Sequence, residues 1–446
     1  VNTDNIRKDN NPLVKELYDL TFDITNKCVQ CGYCLPVCPT YESMGNETQS
    51  PRGRINLVKL ASIGKIDITE HLSTPIDLCV GCRACEAACP VGVPYGEILD
   101  HAKWIIAKEQ DEASKENEEK NFDSPLKKAV INKVLMHPKR LRGLGNITWL
   151  YQKSGVYKLV RKTKVLERLS KPIAELERAL PLLESPSNRL KPGVYQAKGI
   201  KKARVAFFTG CVTDATMYRT NRLSVELLTL LGLEVVIPHE QKCCGAIHAH
   251  QGMKDGAILL AKENIKAFEQ TDADYYVNNA GGCGAMLREY DKLLKEEAEW
   301  NVKAADFASK TRDISELLLT FDPLPFKKEW NGVITYQDSC HLRNVQNIYK
   351  EPRELLKSIP GATFIELEDN KCCGSGGIYN IIHFKESMEI LDLKMDKVKR
   401  ANVAYVATAN PGCLLQVNIG INRHGLNDSM KTAHLVDILA EACGIE

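Results

Sequence analysis

The sequence predicts a multidomain chain: an α-helical N-terminal domain, a helical connector, and two copies of one α/β domain. Three observations predict it. Two cysteine runs of identical spacing, at 28–38 and 79–89, sit within the first hundred residues. A cysteine-free stretch with helical periodicity fills 124–200. From Arg204 onward, short β-rich segments alternate with helical ones, and a four-cysteine pattern recurs at an offset of 129 residues. At 446 residues the chain is too long for one ordinary core. The expected segments are 1–110, 111–200, 201–330 and 331–446.

Apolar residues make up 44 % and charged residues 26 %, the mix of a soluble globular protein, and the net charge of +2 points to no polyanionic partner. No nucleic-acid motif with a basic reading helix occurs. Seventeen cysteines, an odd number with no visible signal peptide, point to thiolate ligands in a reducing compartment rather than to disulfides. No apolar run reaches eighteen residues. The expected location is the cytoplasm, with peripheral contact at the inner face of the membrane as a variant. The polar segment 2–11 reads as a frayed terminus.

The first run is Cys28-Val-Gln-Cys31-Gly-Tyr-Cys34-Leu-Pro-Val-Cys38-Pro39, and the second is Cys79-Val-Gly-Cys82-Arg-Ala-Cys85-Glu-Ala-Ala-Cys89-Pro90. Both read C-x2-C-x2-C-x3-C-P and resemble the cluster-binding run of bacterial two-cluster ferredoxins. A 4Fe–4S cube takes one thiolate per iron, and x2 spacing lets one tight loop reach three corners. The resemblance implies that each run lends its last cysteine to the other cluster. One cluster is thus expected on Cys28, Cys31, Cys34 and Cys89, and the other on Cys79, Cys82, Cys85 and Cys38. Zinc sites group cysteines in twos and fit these fours less well.

Between the runs, Ser50-Pro-Arg-Gly-Arg-Ile55 and the periodic Ile55, Leu57, Val58, Leu60 and Ala61 predict a short helix returning the second loop to the first. Arg52 and Arg54 either offset cluster charge and dock a partner or solubilise the helix start. A helix over 95–110 closes the domain, and the polar, acidic 111–123 is a linker or an exposed helix end. Over 133–171, lysines and arginines greatly outnumber the single acid, Glu167, with Trp149, Tyr151 and Tyr157 interspersed. This is either a membrane-surface or quinone-proximal segment, or a connector with a solvated basic face; the plainer connector is favoured.

Beyond it, strands are predicted at 204–208, 233–237 and 274–277, and again at 333–336, 363–367 and 403–407. Cys211, Cys243, Cys244 and Cys283 follow the first three, and Cys340, Cys372, Cys373 and Cys413 the second three. The 211/340, 243/372 and 244/373 pairs share one offset, and 283/413 adds a single insertion. This is an internal duplication. If the strands are parallel, all eight thiols lie at the carboxyl edge where open α/β sheets bind ligands. Adjacent cysteines ligate neighbouring irons of a cluster more readily than one ion, and the following glycine allows close backbone approach. Two further clusters are candidates, or one copy's ligands are vestigial.

The repeated Cys … Cys-Cys-Gly … Cys pattern resembles the cysteine-rich CCG domain family, seen in heterodisulfide reductase subunits and in iron–sulfur subunits of membrane-linked dehydrogenases. With the two runs, Ser50-Pro-Arg-Gly-Arg-Ile55, Cys243-Cys244-Gly-Ala-Ile-His248 and Asn410-Pro-Gly-Cys413-Leu-Leu-Gln416, the chain resembles the glycolate oxidase iron–sulfur subunit family. It is similar as well to the corresponding iron–sulfur component of anaerobic glycerol-3-phosphate dehydrogenase. The resemblance implies an electron-transfer subunit that takes electrons from a separate FAD subunit oxidising a 2-hydroxy acid, and hands them to quinone or another carrier. Heterodisulfide reductases carry a fifth cysteine in a final C-x-x-C, where this chain has Met286 and Gln416. That departure argues for a four-cysteine or incomplete cluster and against disulfide reduction.

His248, His250 and His341 neighbour the cysteines, either as potential-tuning or proton-relay groups or as plain hydrogen-bonded residues. Lys242 and Lys371 precede the cysteine pairs, where a cation favours thiolates. Cys443 has no counterpart in the repeat and reads as a core thiol. No dinucleotide fingerprint, Walker sequence or acid–base constellation appears, so a hydride acceptor is expected on another chain and no FAD on this one. An iron–sulfur sensor or assembly partner is the non-enzymatic alternative.

Overall fold

The computed structural model describes residues 11–116, 131–321 and 323–445. The expected frayed terminus (but for Asn11) and residues 117–123 of the acidic stretch lie outside them. By contact the chain forms two compact units that are not contiguous in sequence. The first takes the described N-terminal residues through 116 together with Ile247–Ala257 and Gly374–Leu393; the second takes the rest.

In the first unit, helix Pro12–Asn26 opens with Asn11 accepting from the Leu13 amide and Pro12 at its first position. Leu13, Leu17, Thr21 and Thr25 recur every four residues and form its buried stripe. That stripe packs on helices Pro51–Ser62 and Tyr95–Glu116, around Val58, Ala61, Leu72, Ile98, Ala102 and Ile105. Helix Pro51–Ser62 is capped by Ser50, whose hydroxyl accepts from the Gly53 amide at 2.9 Å. Gly53 is required there, because a Cβ would stand 2.0 Å from the Glu47 carbonyl oxygen. The helix expected over 95–110 continues to Glu116, since 111–116 contain helix formers and no breaker.

Two later segments complete this unit. Lys103 Nζ donates to the His250 carbonyl at 2.9 Å, and Tyr379 Oη donates to the Leu78 carbonyl at 3.2 Å. His383 Nε2 lies 3.1 Å from Asp77 Oδ2.

In the second unit the connector forms helices Pro138–Lys153, Val156–Thr163, Val165–Leu169 and Lys171–Ala179. It is not helical throughout: Pro192-Gly193 breaks the pattern, and β1 (Gly193–Tyr195) pairs antiparallel with β3 (Leu233–Ile237). The first sheet has the order β1-β3-β2-β4-β5, in which β2 (Ala203–Phe208), β3, β4 (Tyr275–Asn278) and β5 (Thr311–Asp313) are mutually parallel. The second sheet has the order β7-β6-β8-β9, from β6 (Gly332–Tyr336), β7 (Ala362–Phe364), β8 (Tyr405–Thr408) and β9 (Lys431–His434), all parallel. Apart from β1 the two orders are the same, which is the duplication in three dimensions. Strand β7 stops at Phe364, three residues short of the expectation, and β8 begins at Tyr405 rather than 403. One apolar core runs through both sheets, from Val205 and Phe207 to Leu435 and Leu439, and includes Cys443.

Candidate functional site

Both N-terminal cysteine runs fold into the same curl. Gln30 and Gly32 in the first, and Gly81 and Arg83 in the second, take positive φ values of 59°, 90°, 72° and 56°. These alternating left-handed residues turn successive thiols toward one point, and one glycine in each loop lowers the strain.

Two cavities result. Cys28, Cys31, Cys34 and Cys89 line one, and Cys38, Cys79 and Cys82 line the other; Cys85 reaches both. The last cysteine of each run therefore faces the other run's cavity. The first site is the more open: Cys31 is exposed, and Val29, Tyr33 and Val91 stand around it 65, 68 and 46 % exposed. In the second, all four cysteines are buried.

Donors are aimed at the sulfurs. Gln30 Nε2 lies 3.5 Å from Cys28 Sγ, the Val93 amide 3.4 Å from Cys89 Sγ, and Tyr95 Oη 3.4 Å from Cys79 Sγ. Burial pushes the Cys34, Cys38 and Cys85 thiols above their usual range, with Arg54 opposing it at Cys38. Such thiols ionise when a cation binds them. Among the described residues no three histidine, cysteine or carboxylate groups converge as on one bare metal ion. A cubane needs its thiolates spread over separate corners, so the donor set suits a cluster.

The two motif arginines part company. Arg52 is half-buried at the edge of the first cavity, paired with Glu47 at 2.6 Å and donating to the Gln30 carbonyl. Arg54 is 1 % exposed and donates to the Pro75 carbonyl at 2.7 Å, to Thr40 Oγ1 at 3.0 Å and to Gln49 Oε1 at 2.7 Å. It lines the second cavity. Burial opposes its charge, but Cys79, Tyr95 and Cys38 outweigh it and hold the guanidinium protonated.

In the second unit each repeat cysteine follows the carboxyl end of a parallel strand. Cys211 starts helix Cys211–Thr216 after β2, and Cys283 lies in helix Gly281–Arg288 after β4. Cys211 and Cys243 sulfurs are 3.5 Å apart. Their contact, with burial behind it, raises Cys211; contacts with Cys243 and Cys283, again with burial, raise Cys244. All four thiols of this copy therefore interact. In the other copy Cys340 and Cys372 sulfurs stand 3.9 Å apart, and Asn410 Nδ2 lies 3.4 Å from Cys413 Sγ. Gly245 and Gly374 have φ of 89° and 85°, so the glycine after each pair serves a left-handed turn.

Several holding residues carry no sequence signature. Asn264, fully buried, accepts from the Lys242 amide and donates to the Cys243 carbonyl and to Tyr290 Oη; Tyr290 in turn donates to the Cys244 carbonyl. In the second copy Asp369 Oδ1 accepts from the Lys371 amide and pairs with buried Lys394 at 2.8 Å. Burial works against that carboxylate, yet Lys394 and Lys397 hold it well below the usual range. Asn410 Oδ1 also accepts from the Gly282 amide at 3.1 Å, linking the loops of Cys283 and Cys413.

His248 is buried beside Gly256, where a Cβ would meet its ring at 2.8 Å; His250 is held through its backbone carbonyl, and His341 sits in helix Cys340–Asn344. Met286 and Gln416 lie buried three residues past Cys283 and Cys413, on the same helix faces. Cys443 caps helix Leu435–Ala442 in the core, its thiol pushed up to about 11 by burial.

Comparison with known proteins identifies the modules. Residues 24–93 match the 4Fe-4S dicluster domain model, 122–180 the linker region of the glycolate oxidase iron-sulfur subunit, and 205–288 and 334–418 the cysteine-rich CCG domain. A probable glycolate oxidase iron-sulfur subunit of Bacillus subtilis is 46 % identical over 422 residues, 94 % of either chain. The glycolate oxidase iron-sulfur subunit of Escherichia coli is 28 % identical over 394 residues, 87 % of this chain and 89 % of its own. Lactate utilization protein A of an Exiguobacterium strain is 30 % identical over 239 residues, 53 % of this chain and 97 % of its own. The chain is an iron–sulfur protein and belongs to the glycolate oxidase iron–sulfur subunit family.

Proposed function

We propose that this chain is the electron-transfer subunit of a complex that oxidises a 2-hydroxy acid, glycolate or lactate, and passes the electrons to quinone or another carrier. The observation that carries this reading is the pair of thiol-lined cavities with exchanged last cysteines, one with Cys31 exposed between Val29, Tyr33 and Val91 and one with all four thiols buried. Cys28, Cys31, Cys34 and Cys89 would hold one cubane, and Cys79, Cys82, Cys85 and Cys38 the other. Cys211, Cys243, Cys244 and Cys283 would hold a third cluster, and Cys340, Cys372, Cys373 and Cys413 a fourth. Each bound cluster supplies a site for one electron at a time. Hydroxy-acid oxidation releases two, so a flavin that divides the pair belongs on a partner chain.

The residues of this chain then have definite tasks. Val29, Tyr33 and Val91 offer an apolar rim to the electron donor. Arg54 offsets negative charge at the site of the four buried thiols, and Asn264 with Tyr290 fixes the Cys243–Cys244 backbone.

The test is anaerobic purification with the accompanying flavoprotein, followed by addition of glycolate, lactate or glycerol 3-phosphate. Bleaching of the cluster absorbance by glycolate or lactate is the expected result. Bleaching by none of the three, with dithionite still effective, would sink the hydroxy-acid reading and favour a disulfide-reductase-like role. Met286 and Gln416, where that chemistry needs its fifth cysteines, weigh against the latter.

Asn410 provides a sharper check on the second repeat. Asn410→Leu removes an N–H donor from Cys413, an interaction worth about 1 kcal/mol. Hydrogen bonds to cluster sulfurs stabilise the more negative, reduced state. A redox titration followed by EPR should show that site's potential falling by on the order of 40 mV, with the N-terminal sites unmoved.

A further inference from the structure

We propose that the connector helices form a surface that binds an anionic lipid bilayer. Of the nineteen exposed large apolar side chains among the described residues, nine fall within 144–182. Leu144, Ile147 and Leu150 are 52, 65 and 59 % exposed, and their spacing of three sets them along one side of helix Pro138–Lys153. Helix Val156–Thr163 buries none of its residues and exposes Val156 and Leu159; Leu169, at the end of the next helix, is 77 % exposed. A connector that merely packed on its own domain would turn these aliphatic faces inward.

The charge has the complementary sign. Between 133 and 171 there are eleven lysines and arginines against Glu167 alone. Arg142 and Arg161 pair with Asp214 and Glu177, but exposed Lys158, Lys162 and Lys164 have no acidic partner among the described residues. Exposed aliphatic residues interleaved with unpaired lysines are the chemistry of a helix lying in an anionic membrane surface. Protein interfaces favour aromatic residues, methionine and arginine and are poor in lysine, whereas these exposed apolar residues are aliphatic and the exposed cations without an acidic partner are, Arg140 and Arg168 apart, lysines. No described helix is long and apolar enough to cross a membrane, so the contact is with the surface.

The inference stands apart from the substrate reading and is tested separately. The anaerobically purified, cluster-loaded full chain is floated with phosphatidylcholine vesicles with and without phosphatidylglycerol. Binding is expected only with the anionic lipid, and it should weaken at high salt. Ile147→Ser/Leu159→Ser and Lys158→Glu/Lys162→Glu should each lower the bound fraction about tenfold, with cluster absorbance retained. Should the serine pair lose its clusters, the glutamate pair, at fully surface positions, decides alone. Equal or absent binding to both vesicles, or binding that neither pair changes, overturns the proposal. So does loss of a co-purifying flavoprotein in variants of a chain that binds no vesicle, which would make this a protein-docking face. Bleaching by hydroxy acid in detergent-free solution is expected to be the same in all of them.

Discussion

Cys89→Ala is expected to abolish the cluster built on the first cysteine run and spare the one built on the second run, to which Cys89 belongs in sequence. The cavity lining makes this prediction: Cys89 stands with Cys28, Cys31 and Cys34, and Cys38 with Cys79, Cys82 and Cys85. A cube lacking one thiolate loses an iron or fails to assemble, so total iron should fall by roughly one to four atoms per chain. EPR spectra separate the two pairings. With exchanged ligands, Cys89→Ala matches Cys28→Ala, and Cys38→Ala matches Cys79→Ala. If each run instead holds its own cluster, Cys89→Ala matches Cys79→Ala.

Arg54→Met should have the largest effect of any change that leaves the cysteines intact. The guanidinium is almost wholly buried, makes three hydrogen bonds to Pro75, Thr40 and Gln49, and faces the thiols of Cys38 and Cys79. Methionine matches its length but leaves those acceptors without donors and the thiolates without a counter-charge. Removing one partner of a buried charge pair costs about 3–5 kcal/mol, measurable as a lowered unfolding midpoint of the cluster-loaded protein. Where the variant holds its clusters, the buried site's reduction potential should fall, because the electron it receives is no longer offset by a nearby cation. Arg54→Lys keeps the charge but not the planar fork. It should recover much of the potential and only part of the stability. An unchanged potential in the methionine variant would reduce Arg54 to a packing residue.

Local spacing made a good deal of this protein legible. The C-x2-C-x2-C-x3-C-P runs placed eight thiols around two cavities because the ligand geometry is written in a dozen consecutive residues. The repeat was visible because Cys211, Cys243 and Cys244 recur at one offset, and the strands before them are rich in β-branched and aromatic residues. Helix Pro12–Asn26 has only slight local marks, Pro12 and the Leu13–Leu17 spacing. Strands β5, Thr-Arg-Asp, and β9, Lys-Thr-Ala-His, were not legible: they are short and polar, and only pairing with β4 and β8 makes them strands.

The sequence by itself determined the cofactor chemistry and the order of the modules, since thiol spacing and strand–helix alternation are properties of neighbouring residues. Tertiary structure alone decided which distant groups serve the sites. Arg54 and Arg52 sit two positions apart in one motif, yet helix geometry buries the first in one cavity and leaves the second half-exposed at the edge of the other. Asn264, Tyr290 and Lys394 reach cysteine loops from helices and turns whose own periodicity says only that they are packed. The assignment of Ile247–Ala257 and Gly374–Leu393 to the unit of the N-terminal sites is of the same kind. It depends on contacts between residues hundreds of positions apart, such as Tyr379 with Leu78, and no local pattern encodes those.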